Sequence, residues 1–273
     1  MTIVERAALG GFSHVDADPE AAALIAALDE QASLPAIQRL RATAAELLRP
    51  RLGARLLDVG CGTGDVVRAL AGLVGAHGTV VGVEPSATML NEARRRTGDS
   101  SLRVEFRGGD IARLDFQDAT FDGVTCERVF QHLDAPETAI GELVRVTRPG
   151  GRIVVTDTDW GMHAIHGANP DVTARIIGCW SDIVANGWSG RRLPALFACA
   201  GIQDPAVIAE TFTTTDPRRP TRAPFTTMAG ATAEAGAITG AQGASWLAEL
   251  ADAGTTGCFF WAVTMFAVGG VRR

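Results

Sequence analysis

One short stretch of the chain, residues 56–65 with the sequence LLDVGCGTGD, combines an acid with three closely spaced glycines. Asp58 lies near the end of an apolar run, and Gly60, Gly62 and Gly64 follow it. Glycines in such a loop let a ligand approach the backbone to van der Waals distance, because no Cβ blocks the approach. The pattern predicts a strand, a tight loop and the start of a helix whose first N–H groups are free to bind.

The spacing of these glycines argues against a dinucleotide site. Dinucleotide loops have the form G-x-G-x-x-G, in which the third glycine lies beside a pyrophosphate. Here the third glycine comes one residue early, at Gly64, and Asp65 stands in the expected place. Asp58 and Asp65 would repel a pyrophosphate, whereas two nearby carboxylates suit a phosphate-free ligand with positive charge, such as a sulfonium that carries an ammonium group.

Two more acids follow predicted strands. Glu84 closes the run TVVGV, and an acid at the tip of the second strand can accept hydrogen bonds from both hydroxyls of a ribose; the alternative is a solvated loop acid. Asp110 follows LRVEF in the segment Gly109-Asp110-Ile111. It could bind the exocyclic amine of an adenine, with Ile111 and Met89 on either side of the ring, or it could cap a helix.

Short β-rich runs alternate with helical stretches from Arg55 onward, which predicts βαβ units and a parallel sheet covered on both faces. We expect an α/β fold: a Rossmann-like, seven-stranded, mostly parallel sheet with its last strand antiparallel, flanking helices and a helical cap. We divide the chain into an N-terminal helical cap segment, 1–50, and a Rossmann-like domain, 51–273, with insertions at about 158–190 and 212–250. The cap would combine the N-terminal helices with segment 158–190.

Composition limits the classes of function. The 273 residues are 47% hydrophobic and carry a formal net charge of −6, so we expect a large core and no nucleic-acid partner. The chain contains no lysine and no tyrosine, which removes Schiff-base lysine and catalytic phenol chemistry. We recognise neither a secretory signal nor an apolar run long enough to span a bilayer, and we expect a cytoplasmic protein with reduced cysteines.

Taken together, LLDVGCGTG, VVGVEPS, GGDI and FDGVTCERVFQHL followed by ELVRVTRPGGRIVV resemble class I S-adenosylmethionine-dependent methyltransferases of the ubiquinone/menaquinone-biosynthesis type. The resemblance covers about residues 52–157. It implies S-adenosylmethionine as the cofactor, S-adenosylhomocysteine as the product and a small-molecule methyl acceptor. The residues that we assign to the cofactor site on this basis are Arg41, Asp58, Gly60, Cys61, Gly62, Gly64, Glu84, Pro85, Met89, Gly109, Asp110, Ile111, Cys126, Glu127 and Arg128.

Within that set, the resemblance places the loop at Cys126 to Arg128 beside the methionine end of the cofactor. Arg41 would pair with the cofactor carboxylate, or it would be a solvated helix arginine. Methyl transfer needs the acceptor held in line and water excluded. A base helps if the acceptor is a hydroxyl. His132 in VFQHL is the base candidate, although related enzymes can carry a His-His pair where this chain has Gln131-His132.

Asp157, at the end of GRIVVT, is the second catalytic candidate, because some related enzymes have an acid that faces the substrate there; Asp159 is the reserve. His163 and His166 could share a helical face, but no third ligand is apparent, and we expect no metal. The rings predicted to fall in the insertions could line an apolar pocket or pack in the core: Trp160, Trp180, Trp188, Phe212 and Phe225.

We therefore expect methylation of an oxygen, carbon or nitrogen atom of a small, aromatic or apolar metabolite, with a role in natural-product biosynthesis, that is, secondary metabolism. Assembly into a homo-oligomer is left open. One alternative is a methyltransferase-like protein with non-methylating chemistry such as cyclisation. A nicotinamide-dependent oxidoreductase, which the position of Gly64 disfavours, and a catalytically inactive scaffold are the others.

Overall fold

The computed structural model describes residues 15–17, 21–98, 100–218 and 224–273. The N-terminal stretch in which we looked for a signal sequence lies mostly outside these residues, as do positions 219–223 of the second predicted insertion. Within the described ranges, no helix has the length and apolar character needed to cross a bilayer.

Seven strands form one sheet in the order β3-β2-β1-β4-β5-β7-β6. Neighbouring strands are parallel from β3 to β5, and β7 is antiparallel to both β5 and β6. The strands are β1 (Arg55–Val59), β2 (Thr79–Glu84), β3 (Val104–Gly108), β4 (Phe121–Glu127), β5 (Thr147–His166), β6 (Gln203–Thr214) and β7 (Phe260–Val271). The predicted α/β, mostly parallel Rossmann-like sheet is confirmed.

Helices precede β1 and form most of the connections between strands. In the described residues they are α1 (Ala21–Ser33), α2 (Pro35–Leu48), α3 (Asp65–Val74), α4 (Ala87–Thr97), α5 (Pro136–Val146), α6 (Pro170–Ile183), α7 (Ser189–Cys199), α8 (Pro224–Glu234) and α9 (Gly240–Thr256). Short 3-10 turns occur at Val15–Ala17 and Phe130–His132. Helices α8 and α9 connect β6 to β7, where the sequence predicted a loop and a helix.

The continuous apolar runs become central strands because both of their faces are covered. Leu57, Val81 and Val124 on β1, β2 and β4 have no exposed surface, as expected for a parallel sheet between helices. Helix α3 begins directly after Gly64, whose φ of 81° lies in the left-handed region. It turns an apolar face, including Leu70, toward the sheet.

The chain builds the sheet outward from β1 in two directions, with β2 and β3 on one side and β4 and β5 on the other. Val59 pairs with Val83 of β2 and with Cys126 of β4, so the carboxyl ends of the three strands meet at one edge. Such a switch point is where open α/β sheets bind ligands. The acids Glu84 and Glu127 stand at the ends of β2 and β4 there.

The first predicted insertion begins later than we expected. Residues 158–166 continue β5 and pair with β7, with a register shift between Asp159 and Ala164. The sequence TDTDWGMH did not predict a strand, because it contains several polar residues and a glycine. This part of β5 is stabilised by hydrogen bonds to β7, which is far away in sequence. His163 and His166 therefore lie on a strand, and the expectation that they share a helical face is wrong.

A second core lies between β7, the far part of β5 and helices α6, α8 and α9. It contains Trp180, Phe225, Trp246 and Trp261, with Trp160 and Phe212 packed against it. Trp188 instead packs over the backbone of Gly161 and under the Arg191 guanidinium, 4.4 Å from the ring centroid. The rings of the predicted insertions thus serve mainly as core.

The N-terminal helices attach to the sheet through apolar side chains and ion pairs. Helix α2 buries Ile37 and Leu40 against β7. Arg96 of α4 pairs with Asp29 of α1 at 2.6 Å. These contacts place α1 and α2 beside the edge of the sheet where β1, β2 and β4 end.

Candidate cofactor and acceptor site

A cavity of about 360 Å³ lies at the edge where β1, β2 and β4 end. Its volume is in the range typical of sites for small molecules. The residues that line it are Leu28, Arg41, Asp58, Val59, Gly60, Cys61, Gly62, Thr63, Asp65, Val66, Val83, Glu84, Pro85, Met89, Gly109, Asp110, Ile111, Glu127, Arg128, Val129, Gln131, His132 and Leu133.

Most residues that we assigned to the cofactor site line this one cavity. The exceptions are Gly64, whose left-handed φ shapes the loop, and Cys126, which is fully buried in the sheet. His132 also lines the cavity, whereas Asp157 does not. Leu28 also lines the cavity, although no pattern in the sequence indicated it, and Gln131 stood out only as a departure from a His-His pair.

The glycine loop has a conformation that other residues adopt only with strain. Gly60 and Gly62 have φ values of 74° and 50°, in the region that favours glycine. A Cβ on Gly60 would lie 2.3 Å from Cγ2 of Val129, so packing also requires glycine there. A Cβ on Gly62 would meet no protein atom within 4 Å. Space beside Gly62 is therefore left open along the cavity.

Glu84 faces the loop and is held by two backbone donors. Its Oε2 accepts from Gly62 N at 3.0 Å and its Oε1 from Ser86 N at 3.1 Å. Burial raises the pKa of Glu84, while these hydrogen bonds act in the opposite direction. The alternative of a solvated loop acid is wrong, because the residue is only 8% exposed.

Asp58 is a buried carboxylate without a full set of partners. It is 2% exposed, and its Oδ1 accepts no hydrogen bond from any residue in the described part of the chain. Burial raises its pKa well above the usual value, and Glu127 and Glu84 add to the effect, against Arg41. A cationic ligand at this place would compensate the carboxylate, so the residues fit the ammonium group of S-adenosylmethionine.

Arg41 and Glu127, which both line the cavity, form a two-pronged ion pair. Arg41 Nε donates to Glu127 Oε2 at 2.9 Å and Nη2 to Oε1 at 3.0 Å. Arg128 Nε lies 3.4 Å from Glu127 Oε1. Burial acts to raise the pKa of Glu127, but Arg128 and Arg41 outweigh it and lower the pKa. Arg41 is therefore not the solvated helix arginine of the alternative interpretation.

The residues that we expected around an adenine combine apolar walls with an acid. Met89 and Ile111 are 2% and 6% exposed, and both line the cavity together with Pro85 and Gly109. Asp110 Oδ1 accepts from Ala112 N at 2.8 Å within a turn. Since turns and not a helix follow Asp110, the alternative that it caps a helix is wrong.

His132 lines the cavity together with Leu133 and Val129. Its Nε2 lies 3.2 Å from the side-chain nitrogen of Gln131. Burial, with a contribution from Arg128, lowers the pKa of His132 to about 4. The imidazole is therefore uncharged near neutral pH.

Asp157 is not the substrate-facing acid that we expected. It has no exposed surface, and its oxygens accept from Gln131 N at 2.7 Å, Thr158 N at 2.8 Å and Ser189 Oγ at 3.0 Å. The reserve candidate Asp159 is equally buried and binds Arg191 through Nε at 2.5 Å and Nη2 at 2.7 Å. Both carboxylates are used by protein donors behind the cavity wall.

The described residues contain no group of three or more His, Cys, Asp or Glu side chains arranged to hold a metal ion. His163 instead packs between the rings of Trp160 and Trp261, with centroid distances of 5.6 and 5.8 Å. Its Nδ1 accepts from Trp261 Nε1 at 2.8 Å. This histidine is part of the second core.

Comparisons with known proteins agree with this geometry. A family model described as a methyltransferase domain matches residues 57–155. An uncharacterized 37.1 kDa protein of a Streptomyces fradiae transposon is 33% identical over 88% of this chain and 69% of its own length. A demethylmenaquinone methyltransferase of Bacillus cereus is 35% identical over 48% of this chain. That alignment spans only 56% of the relative's length.

The same sheet occurs in a solved structure. The crystal structure of an S-adenosylmethionine-dependent methyltransferase from Aquifex aeolicus superposes with a TM-score of 0.52. The superposition covers 86% of this chain and 95% of the other, at 18% sequence identity. The likeness at that identity is one of fold.

Proposed function

The chain belongs to the class I S-adenosylmethionine-dependent methyltransferases, and from that premise we propose that it methylates a small, largely apolar metabolite at an oxygen, carbon or nitrogen atom. The observation that carries the proposal is the composition of the cavity beside His132. The residues before and after the turn that contains His132, Val129 and Leu133, are apolar and line the same cavity. The two arginines of the cavity, Arg41 and Arg128, both contact Glu127.

Charge supports a small acceptor over a polyanion. Besides Asp110, four carboxylate side chains line the cavity: Asp58, Asp65, Glu84 and Glu127. The whole chain has a net charge of −6. Nucleic acids bind to surfaces on which arginine or lysine side chains are free to contact phosphates. A compact, weakly polar molecule is not repelled by these carboxylates as a polyanion would be.

The residues around the cavity have separate tasks in this proposal. S-adenosylmethionine supplies an electrophilic methyl group on a sulfonium centre. Asp58 binds the ammonium group, Glu84 accepts from the ribose hydroxyls, and the loop of Gly62 allows close approach. Leu28 of α1 helps to exclude water from the cavity. The walls of the cavity hold the acceptor in line for attack on the methyl group. We accordingly propose that α1 and α2 act as the cap of a Rossmann-like domain that begins near residue 51.

His132 favours an acceptor that is already nucleophilic. A base whose pKa is about 4 gives little driving force for removing the proton of an ordinary alcohol. An activated carbon, an acidic phenol or an amine needs less help. We therefore propose that His132 shapes the part of the wall that the acceptor contacts, and that the role of general base is secondary. A place in secondary metabolism, a cytoplasmic location and a homo-oligomeric state stay predictions.

The test offers the purified protein S-adenosylmethionine with an isotopically labelled methyl group and a panel of acceptors: phenols, activated carbon acids, amines, a transfer RNA and a protein mixture. We expect S-adenosylhomocysteine and labelled product in equal amounts with one of the small apolar acceptors. Labelling of the RNA or the protein mixture alone would contradict the proposal. Conversion of a small molecule without S-adenosylhomocysteine would indicate the non-methylating alternative.

A further inference from the structure

Gln131, which lines the cavity next to His132, is fixed in place by its backbone. It lies in the 3-10 turn Phe130–His132 and is 5% exposed. Its N–H donates to Asp157 Oδ2 at 2.7 Å, and its carbonyl accepts from Asn186 N at 3.0 Å. The two buried contacts come from different segments, so the Gln131 side chain starts from a rigid base.

The side-chain amide of Gln131 has only one orientation that satisfies its neighbours. Its Oε1 accepts from Trp160 Nε1 at 2.8 Å, and an indole nitrogen can only donate. Its Nε2 donates to the Arg128 carbonyl at 3.1 Å, and a carbonyl can only accept. Turning the amide over would place donor against donor at Trp160 and acceptor against acceptor at Arg128. The amide nitrogen therefore faces His132.

This orientation decides where the hydrogen of the His132 ring lies. The amide nitrogen of Gln131 is 3.2 Å from His132 Nε2 and can only donate, so Nε2 must accept. In a neutral imidazole the hydrogen then lies on Nδ1. A proton on Nε2 would have to displace the amide hydrogen.

We propose that Gln131 is a positioning residue of the acceptor site, which holds His132 as the neutral tautomer with its hydrogen on Nδ1. The consequence for catalysis rests on the proposed function, because it requires that His132 meets the acceptor. In that state the ring hydrogen is on Nδ1, and Nε2 is occupied by the Gln131 amide and is not free to remove a proton from the acceptor. Trp160, far along the chain on β5, orients His132 through Gln131.

His163 is an internal reference, because its ring hydrogen should lie on the other nitrogen, Nε2. Its Nδ1 accepts from Trp261 Nε1, which can only donate, so the hydrogen of that ring lies on Nε2. Both rings are buried, and burial lowers both pKa values to about 4. Two neutral histidines of opposite tautomer should therefore occur in one protein at neutral pH.

The test is a two-bond 1H–15N correlation spectrum of the full chain at pH 7.5, labelled with 15N-histidine. Nδ1–H and Nε2–H tautomers give distinct patterns, and the variants His132→Asn and His163→Asn assign the two rings. We expect Nδ1–H at His132 and Nε2–H at His163. An Nε2–H pattern at His132, or averaged nitrogen shifts that indicate both tautomers, would overturn the proposal.

Gln131→Glu separates positioning from packing, because it keeps the shape and replaces the donor by an acceptor. We expect His132 to change to Nε2–H and its pKa to rise by about one to three units, the effect of an adjacent opposite charge. Arg128 is the charged group that already acts on this ring, and it is present in both proteins. The control Gln117→Glu introduces the same charge at an exposed site and should leave His132 unchanged.

Gln131→Met is the second variant, since it keeps a side chain of similar length and removes the amide that donates to His132 Nε2. We expect a mixture of both His132 tautomers, with the His163 pattern retained. An unchanged His132 spectrum in folded Gln131→Glu, or in folded Gln131→Met if the former does not fold, would contradict the role of Gln131. None of these spectra requires an acceptor, so failure of the methylation proposal would be seen separately, in the acceptor panel.

Discussion

Glu84 Oε2 accepts a hydrogen bond from the backbone N–H of Gly62 at 3.0 Å. The acid at the end of β2 and the glycine loop after β1 are therefore one unit, although the two residues lie on different strand ends. A change at either residue should affect both the shape of the loop and the affinity for S-adenosylmethionine.

Replacing Glu84 directly tests whether this acid and the glycine loop bind S-adenosylmethionine. We expect Glu84→Ala to weaken binding of S-adenosylmethionine about 10- to 100-fold, the equivalent of the roughly 1.5–3 kcal/mol of a charge-assisted hydrogen bond. Isothermal titration calorimetry measures the affinity. Glu84→Gln, which keeps an acceptor at the same place, should lose less. Glu105→Ala on β3, an exposed acid, is the control, and equal affinity in Glu84→Ala and the control would contradict the assignment.

The two glycines of the loop should respond differently to a methyl group. Gly60→Ala places a Cβ against Val129 and should lower the melting temperature strongly. Gly62→Ala meets no protein atom, so its stability should fall only by the roughly 1–2 kcal/mol of a left-handed backbone. Because the ligand occupies that space in our proposal, Gly62→Ala should nevertheless bind S-adenosylmethionine poorly. Thermal melts with and without ligand measure both effects, and normal affinity in Gly62→Ala would count against the close approach.

The ion pair between Arg41 and Glu127 should stabilise the contact of α2 with the end of β4. Arg41→Met leaves the buried carboxylate with Arg128 alone, and we expect a loss of about 1–3 kcal/mol in the free energy of unfolding. Arg39→Met, on the same helix, is the control: its pair with Glu210 is largely exposed and should contribute less than about 1 kcal/mol. Urea denaturation compares the free energies of unfolding of the two variants. Equal losses would show that the buried pair stabilises the protein no more than the exposed one.

His163 should make the protein less stable in acid. Burial lowers the pKa of His163 to about 4 from its usual 6.5. Between these values the unfolded state binds the proton and the folded state does not, so stability falls as the pH drops from 6.5 toward 4. The contribution of this one group approaches about 3 kcal/mol over that window.

The variant His163→Asn keeps an acceptor for Trp261 and removes the titration. We expect its loss of stability between pH 7.5 and pH 4.5, measured by urea denaturation, to be smaller than that of the unchanged protein. His77→Asn, at an exposed position, is the matched control and should keep the original dependence. The same slope in His163→Asn as in the control would contradict a buried neutral histidine.

The order of strands and helices could be predicted because it is written in local patterns. Apolar runs such as RLLDV and TVVGV, with Gly64 before a helix, determine backbone conformation over a few residues. The same locality made Glu84 predictable, since parallel strands necessarily bring their carboxyl ends to one edge. What the pattern missed was the extension of β5 past Thr158, because that part of the strand depends on pairing with β7.

The direction in which a side chain points, and the group that it meets, belong to the tertiary structure. His132 and Asp157 were both catalytic candidates in the sequence, yet burial behind Gln131 removes the acid from the cavity and leaves the imidazole at its wall. Trp160 and Gln131 are 29 positions apart and meet only in the folded chain. By itself the sequence determined the fold and the cofactor loop; packing over long distances along the chain decided which polar groups remain available to a ligand.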